Sequence, residues 1–215
     1  MHIMPIKAII FDLGGVLLNI DYQRTIDAFK REGVTDFEHF FTQAAQSSLF
    51  DQLDKGRISP GEFRNELRRL SGLRIGDEQI DAAWNAMLLD FPKERIDLLQ
   101  GVRQHYPTFL LSNTNAIHYP VYRESLRREY GFSDLSQLFR KQYLSYELGM
   151  RKPDREIFVH VLEDQDLVAE ETLFIDDSLQ HVHGAREAGL KAVHLDTARM
   201  DVMDLFTSEC QLREG

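Results

Sequence analysis

Near the N-terminus the chain runs Ala8-Ile9-Ile10-Phe11-Asp12-Leu13-Gly14-Gly15-Val16. The first four side chains are apolar without alternation, the pattern of a short strand covered on both faces rather than half exposed to water. Asp12 stops the run, and two glycines follow it, where backbone amides can approach a ligand closely. Three later runs share this continuous character: Thr108 to Leu111, Thr172 to Ile175 and Ala192 to Leu195. A weaker fifth strand is expected through Gln142 to Leu144. Helical stretches separate the later runs, so the fold class is α/β, a doubly wound parallel sheet with helices on both faces.

Between the first two runs lie roughly ninety residues without a convincing strand, more than one crossover helix requires. Tyr22 to Glu32, Phe37 to Ser47, Ser59 to Leu70 and Asp77 to Leu89 carry apolar residues at helical spacing, for example Phe63, Leu67 and Leu70. Ser59-Pro60 with Glu62 has the form of a capping box with proline in the first turn, and Gly33 and Gly72 stand where helices should stop. Residues 1–17 and 91–215 are therefore expected to form the α/β core, and 18–90 an inserted helical bundle. Lys93 to Tyr106 should return as a helix packed on the sheet. The tail beyond Asp201 is polar, and its order stays open at this point.

Composition narrows the function. The 215 residues suffice for one large domain or a core with an accessory domain, and 43% hydrophobic with 28% charged residues is ordinary for a globular chain. Twenty-five Lys+Arg against 35 Asp+Glu give a formal net charge of -10, which repels phosphate backbones and argues against nucleic-acid binding. Cys210 is the single cysteine, no export-type apolar segment opens the chain, and no apolar run approaches the ~18 residues that cross a bilayer. A cytoplasmic protein without a membrane partner is expected.

In open α/β sheets ligands collect beyond the carboxyl ends of the strands, so the residues that end the runs carry the chemistry. The first run ends at Asp12, the second in Ser112-Asn113-Thr114-Asn115, the third in Asp176-Asp177-Ser178. Each has an ordinary explanation when taken alone. An aspartate in Asp-Leu-Gly-Gly can cap a turn, Ser and Asn start helices, and a loop lysine such as Lys152 is commonly solvated. The acidic pair is harder to explain away: two carboxylates at 4 Å repel by about 4 kcal/mol at an effective dielectric near 20, which a cation relieves. With Asp12 as a third carboxylate, hard oxygen ligands favour a divalent ion such as Mg2+, which keeps waters and seeks phosphate.

The ordered set Asp12, Ser112, Lys152 and Asp176-Asp177, with a helical insert after the first, resembles the haloacid dehalogenase (HAD) superfamily. Phe11-Asp12-Leu13-Gly14-Gly15-Val16, Leu111-Ser112-Asn113-Thr114-Asn115 and Leu148-Gly149-Met150-Arg151-Lys152-Pro153 look like its sugar-phosphate phosphatase and epoxide hydrolase N-terminal phosphatase branch. The resemblance implies a Rossmann-like core, a helical cap over the site and a Mg2+-dependent phosphatase acting on a small phosphorylated metabolite. It makes Asp12 the nucleophile that forms an aspartyl-phosphate. Ser112, Asn113 and Lys152 would hold the phosphoryl group, with Gly14, Gly15 and His118 contributing to substrate binding. Asp12, the Gly14 carbonyl, Asp176 and Asp177 would surround the metal, and which member of the acidic pair ligates directly stays open.

One departure matters. Many relatives carry an aspartate two residues after the nucleophile as general acid and base, a role typically worth about 10^2 to 10^4 in rate, and here that position is Gly14. Asp21 and His118 are candidate substitutes. An anomeric phosphate, with its less basic leaving oxygen, would suit the absence. The alternatives are a phosphomutase, a 2-haloacid dehalogenase, a receiver domain, disfavoured by chain order, and a non-catalytic phospholigand-binding protein. His181 and His183 do not make a convincing metal clamp. Phe37, Phe40, Phe41 and Trp84 are expected in cap packing, Leu49, Phe50 and Leu53 in packing or the pocket, and Arg64, Arg68 and Arg69 on a solvated face.

Overall fold

The computed structural model describes residues 5–34, 36 and 48–213. Its elements follow in chain order: β1 Ala8–Phe11, α1 Tyr22–Arg31, α2 Leu49–Asp54, α3 Pro60–Ser71, α4 Asp77–Asn85, α5 Lys93–Val102, β2 Thr108–Ser112, α6 His118–Tyr130, β3 Lys141–Leu144, α7 Ser145–Leu148, α8 Arg155–Asp164, β4 Thr172–Asp176, α9 Leu179–Glu187 and β5 Lys191–His194. The five strands pair in parallel in the order β3-β2-β1-β4-β5. From β1 the chain winds first one way and then the other, so the topological switch lies between β1 and β4.

Why β1 reads as an unbroken apolar run is visible in its packing. Ile9 and Phe11 join a cluster with Leu99, Val102, Leu110 and Ile175 on one face, while Ala8 and Ile10 join Phe109, Phe158, Phe174 and Ala185 on the other. Neither face meets water. β3 sits on the sheet's edge, with Lys141 exposed, and its apolar signal is correspondingly diluted.

Helices α1 to α4 enclose an apolar cluster of their own, built from Phe29, Leu53, Phe63, Leu67, Ile80 and Trp84, to which Ile117 contributes from the loop after β2. Asp21 caps α1 by accepting from Gln23 N at 2.9 Å. The capping box of α3 is complete: Ser59 Oγ accepts from Glu62 N, and Glu62 accepts from Ser59 N at 2.8 Å. Helix α4 stops at Asn85, short of the expected Leu89, because the chain there is recruited into pairing. Asp21 N donates to Met87 O, and Leu89 N to Asn19 O, both at 3.0 Å, joining the outgoing and returning connections of the insert. The expected helix Phe37 to Ser47, with Phe37, Phe40 and Phe41, lies outside the described residues.

One expectation is corrected. Arg64 and Arg68 are not a solvated face: Arg64 Nη2 meets Asp81 at 2.7 Å and Arg68 pairs with Asp77, tying α3 to α4, while Arg69 pairs with Glu66 at the surface. The tail, whose order was open, is structured through residue 213. Asp201 accepts from Arg95 at 2.7 Å, Val202–Leu205 makes a 3-10 turn, and buried Phe206 stacks on Phe11 with centroids 6.3 Å apart. Cys210 then packs so closely on α5 that a Cβ at Gly101 would lie 2.4 Å from its sulfur. Polar and apolar residues alternate irregularly along the tail, and buried Val202 and Phe206 anchor its packing. Among the described residues no helix is long and apolar enough to cross a membrane.

Phe206→Ala should lower folding stability by about 3 kcal/mol, the low end for a buried phenylalanine because the tail can partly collapse into the void. Urea unfolding monitored by circular dichroism measures it; a loss under about 1 kcal/mol would show that the tail is not part of the cooperative core.

Candidate active site

Adjacent strands β1 and β4 end side by side, with Asp12 N donating to Ile175 O at 2.9 Å, so Asp12 meets the acidic pair that follows. Carboxylate oxygens of Asp12, Asp176 and Asp177 lie within 4.8 Å of one another. Lys152, 0% exposed, places Nζ 2.6 Å from Asp12 Oδ1 and 2.6 Å from Asp176 Oδ2, with the Phe174 ring 5.3 Å away. Burial works against that ammonium, but Asp12 and Asp176 outweigh it and hold Lys152 above the ordinary lysine value. Burial likewise opposes ionisation of Asp176, yet Lys152 and His181 bring its carboxyl down to about 2. At Asp12 burial prevails over Lys152, and with the neighbouring carboxylates it pushes the group up to about 7. Asp177 is raised by burial and then by Asp176.

Three carboxylates against one ammonium leave a negative, oxygen-lined centre suited to a hard divalent cation. Gly15 makes room for the Asp177 carboxylate: the residue has φ +75, and a Cβ there would stand 2.3 Å from Asp177 Oδ2. Gly14 is crowded from another side, since its Cβ would meet Ile20 Cδ1 at 2.4 Å.

The loop after β2 holds the lysine in place. Asn113 Nδ2 donates to Lys152 O, and Asn113 Oδ1 accepts from Lys152 N, both at 2.9 Å. That side chain is therefore committed to the Lys152 backbone. Ser145 Oγ bridges Thr114 N and Thr114 O at 2.9 Å each. Asn115 Oδ1 accepts from Ile117 N and His118 N and so caps the turn into α6, while its Nδ2 donates to Asp54 Oδ1 at 3.1 Å.

A cavity of about 740 Å³ opens above these groups. Asp12, Gly14, Ser112, Asn113, Asp177 and His118 line its polar side; Ile20, Ile26, Phe50, Trp84, Met87 and Leu88 form an apolar wall. Lys152 and Asp176 lie beneath this surface, and Gly15 backs onto Asp177 rather than facing the cavity. Asp21 caps α1 away from the lining, whereas His118 belongs to it. The His118 ring stacks on Trp84 at 5.1 Å with Nδ1 2.8 Å from Asn85 Oδ1, and burial drives its value down to about 3, so the imidazole is neutral. Trp84, expected in packing, both packs and lines the cavity, as does Phe50 stacked on it at 5.1 Å.

Further polar residues reach the cavity, among them Asp54, Asn115, Arg151 and His181. Arg151 is adjacent to Lys152 in sequence, and Asn115 ends the Ser112-Asn113-Thr114-Asn115 run, so both had a local signal. Asp54 had none, because only the tertiary fold brings α2 over the sheet, whereas His181 follows Asp176 by five residues and sets its Nδ1 3.0 Å from that carboxylate. His183 is exposed.

The haloacid dehalogenase-like hydrolase family matches residues 6–189. D-ribitol-5-phosphate phosphatase of Bacteroides thetaiotaomicron is 34% identical over 188 residues, 86% of this chain and 90% of that protein. A sesquiterpene phosphatase of Aspergillus oryzae is 28% identical, covering 93% of this chain and 94% of that one. A crystal structure of a HAD family enzyme from Bacteroides thetaiotaomicron, in complex with magnesium and inorganic phosphate, superposes with TM-score 0.85 at 42% identity over 94% of this chain and all of that one.

Mg2+ at a hundredfold its dissociation constant should stabilise the fold by about 2.7 kcal/mol. In Gly15→Ala, whose added methyl displaces Asp177, the gain should largely vanish. Thermal melts with Mg2+ and with EDTA test this; equal gains in both proteins would remove Asp177 from the ion's ligands.

Proposed function

The chain belongs to the haloacid dehalogenase-like hydrolases, and we propose that it is a Mg2+-dependent phosphatase of small phosphorylated metabolites in which Asp12 is the nucleophile. The observation that supports this most directly is the convergence of Asp12, Lys152, Asp176 and Asp177 at one end of a cavity large enough for a metabolite. A carboxylate is a weak nucleophile, so it needs an electrophile whose charge is already offset. Mg2+ would be held by Asp12, Asp177 and the Gly14 carbonyl, with Asp176 direct or through water, and would supply that offsetting charge. Ser112 and the Asn113 main chain bind phosphoryl oxygens. Lys152 acts from below, keeping Asp12 aimed and favouring its ionised form. Asp12 attacks phosphorus, the ester oxygen departs, and water releases phosphate from the aspartyl-phosphate.

Residues 18–90 serve as the cap, shielding this exchange from bulk water. The proposed substrate is the terminal phosphate of a short polyol or sugar, supported by the D-ribitol-5-phosphate phosphatase relative. The apolar wall of Ile20, Phe50, Trp84 and Met87 favours a second reading, the phosphate of an apolar alcohol, in line with the sesquiterpene phosphatase relative. The cytoplasm is the proposed compartment, consistent with the single free Cys210.

A panel containing D-ribitol 5-phosphate, sugar 1-phosphates, sugar 6-phosphates and farnesyl phosphate, assayed with Mg2+ and with EDTA, tests the reading. The terminal polyol phosphate should be preferred, EDTA should abolish turnover, and Asp12→Asn should lower the rate by roughly 10^4-fold or more. Preference for farnesyl phosphate would select the second reading. Activity that survives Asp12→Asn would overturn the mechanism.

A further inference from the structure

The leaving oxygen of an alkyl phosphate is strongly basic and departs readily only when a positioned acid protonates it. Position 14 offers no such group. Of the titratable residues lining the cavity, Asp12 and Asp177 belong to the ionic centre, and His181 is bound to Asp176 through Nδ1. His118 is held neutral, and its low value prevents it from carrying a proton to donate. Arg151 is a permanent cation. Burial pushes the Tyr122 phenol well above its usual value, and partial desolvation with the charges of Asp177, Asp12, Asp54 and Asp176 raises Tyr22. One carboxyl is left.

Asp54 is the last residue of α2 and lies at the cavity wall with its side chain 18% exposed. Two anchors hold it in the cavity that Asp12 also lines. Asn115, three residues beyond Ser112, donates to Oδ1 at 3.1 Å, and Arg151, adjacent to Lys152, brings Nη2 within 3.8 Å of Oδ2. We propose that Asp54, reaching in from the cap, is the general acid and base of the reaction, protonating the leaving oxygen and then deprotonating the attacking water. This rests on the phosphatase reading above. As the bond from Asp12 to phosphorus forms, the phosphorus–ester oxygen bond breaks, its electron pair stays on oxygen, and that oxygen takes the Asp54 proton. Water then attacks phosphorus and gives a proton back to Asp54, and the electron pair of the phosphorus–Asp12 bond returns to the Asp12 carboxylate.

The surroundings suit the task. Burial pushes Asp54 up to about 6 against the opposing Arg151 charge and the Asn115 hydrogen bond, and Asp51 adds to the rise. Lys55, next in sequence, is drawn away to Asp51 at 3.6 Å and Asp154 at 3.0 Å, while Tyr22 faces the group from α1. A value near neutrality lets one carboxyl both give and take a proton.

The test compares Asp54→Asn and Asp54→Glu with the wild type on two esters: the alkyl phosphate that ranks first in the panel, and p-nitrophenyl phosphate, whose phenolate leaves without a proton. In Asp54→Asn, phosphoenzyme formation from the alkyl ester should fall by about 10^2 to 10^4, the initial p-nitrophenol burst by no more than about tenfold, and the steady rate after the burst should be slow for lack of a base. Asp54→Glu should recover part of the alkyl rate. Stability supplies an independent readout. A carboxyl whose folded value of about 6 exceeds the unfolded 3.8 contributes its stability in full below 3.8 and loses it as pH rises through 6. Asp54→Asn should therefore melt higher than the wild type at pH 7.5 and equally at pH 4. An equal fall on both esters, an unchanged alkyl rate, or a lower melting point at both pH values overturns the proposal. If the wild type gives no burst that depends on Asp12, the phosphatase reading itself fails, a result separable from the others.

Discussion

One ammonium group, Lys152 Nζ, is shut inside the protein 2.6 Å from each of two carboxylates, and the rest of the architecture is arranged around that contact. Taking such charges out of water is expensive, and losing one partner strands the others, so each of the three residues must be delivered accurately. The sheet order does the delivery: β1 and β4 are neighbours, which sets Asp12 beside Asp176, and the Asn113 amide grips the Lys152 backbone from the end of β2. Folding and chemistry therefore share a cause. An oxygen with an incompletely satisfied negative environment is kept next to space that a cation and a phosphoryl group can fill.

How much of this can be read from residues alone depends on whether the signal is local. The strands β1, β2 and β4 announce themselves because both faces are buried and nearly every position must be apolar. Asp12, Ser112 and Asp176 follow from those strands, since each ends one. The capping box at Ser59 is equally local. What escaped depends on contacts across the chain. The tail reads as polar because two side chains, Val202 and Phe206, carry its packing. The six-residue helix α2 is too short for periodicity to show, and its terminal Asp54 acquires meaning only opposite Asn115, 61 positions away. Arg64 and Arg68 of α3 meet acidic partners on α4 that no local pattern reveals.

The helical layer and the sheet are joined more firmly than a simple insertion requires. Asp51 receives Arg151 at 3.1 Å and Asp54 receives Asn115, so α2 touches both loops that present the ionic centre. Gly56 comes so near α7 that a Cβ would lie 2.2 Å from Tyr146 O. The outgoing and returning connections of the insert, at Asn19–Asp21 and Met87–Leu89, are paired with each other. Movement of the helices relative to the sheet must therefore break contacts next to Lys152, which links access to the cavity with the state of its floor.

The contact between Gly14 and Ile20 has an evolutionary corollary. Any heavier residue at position 14 meets the isoleucine's Cδ1, the free end of a flexible side chain, so an acid introduced there is accommodated once Ile20 rotates away. Sterically one substitution suffices, but it re-sets a side chain that lines the cavity. Hydrocarbon and acid compete for the same space here, so gaining a proton donor at this position also reshapes the apolar wall.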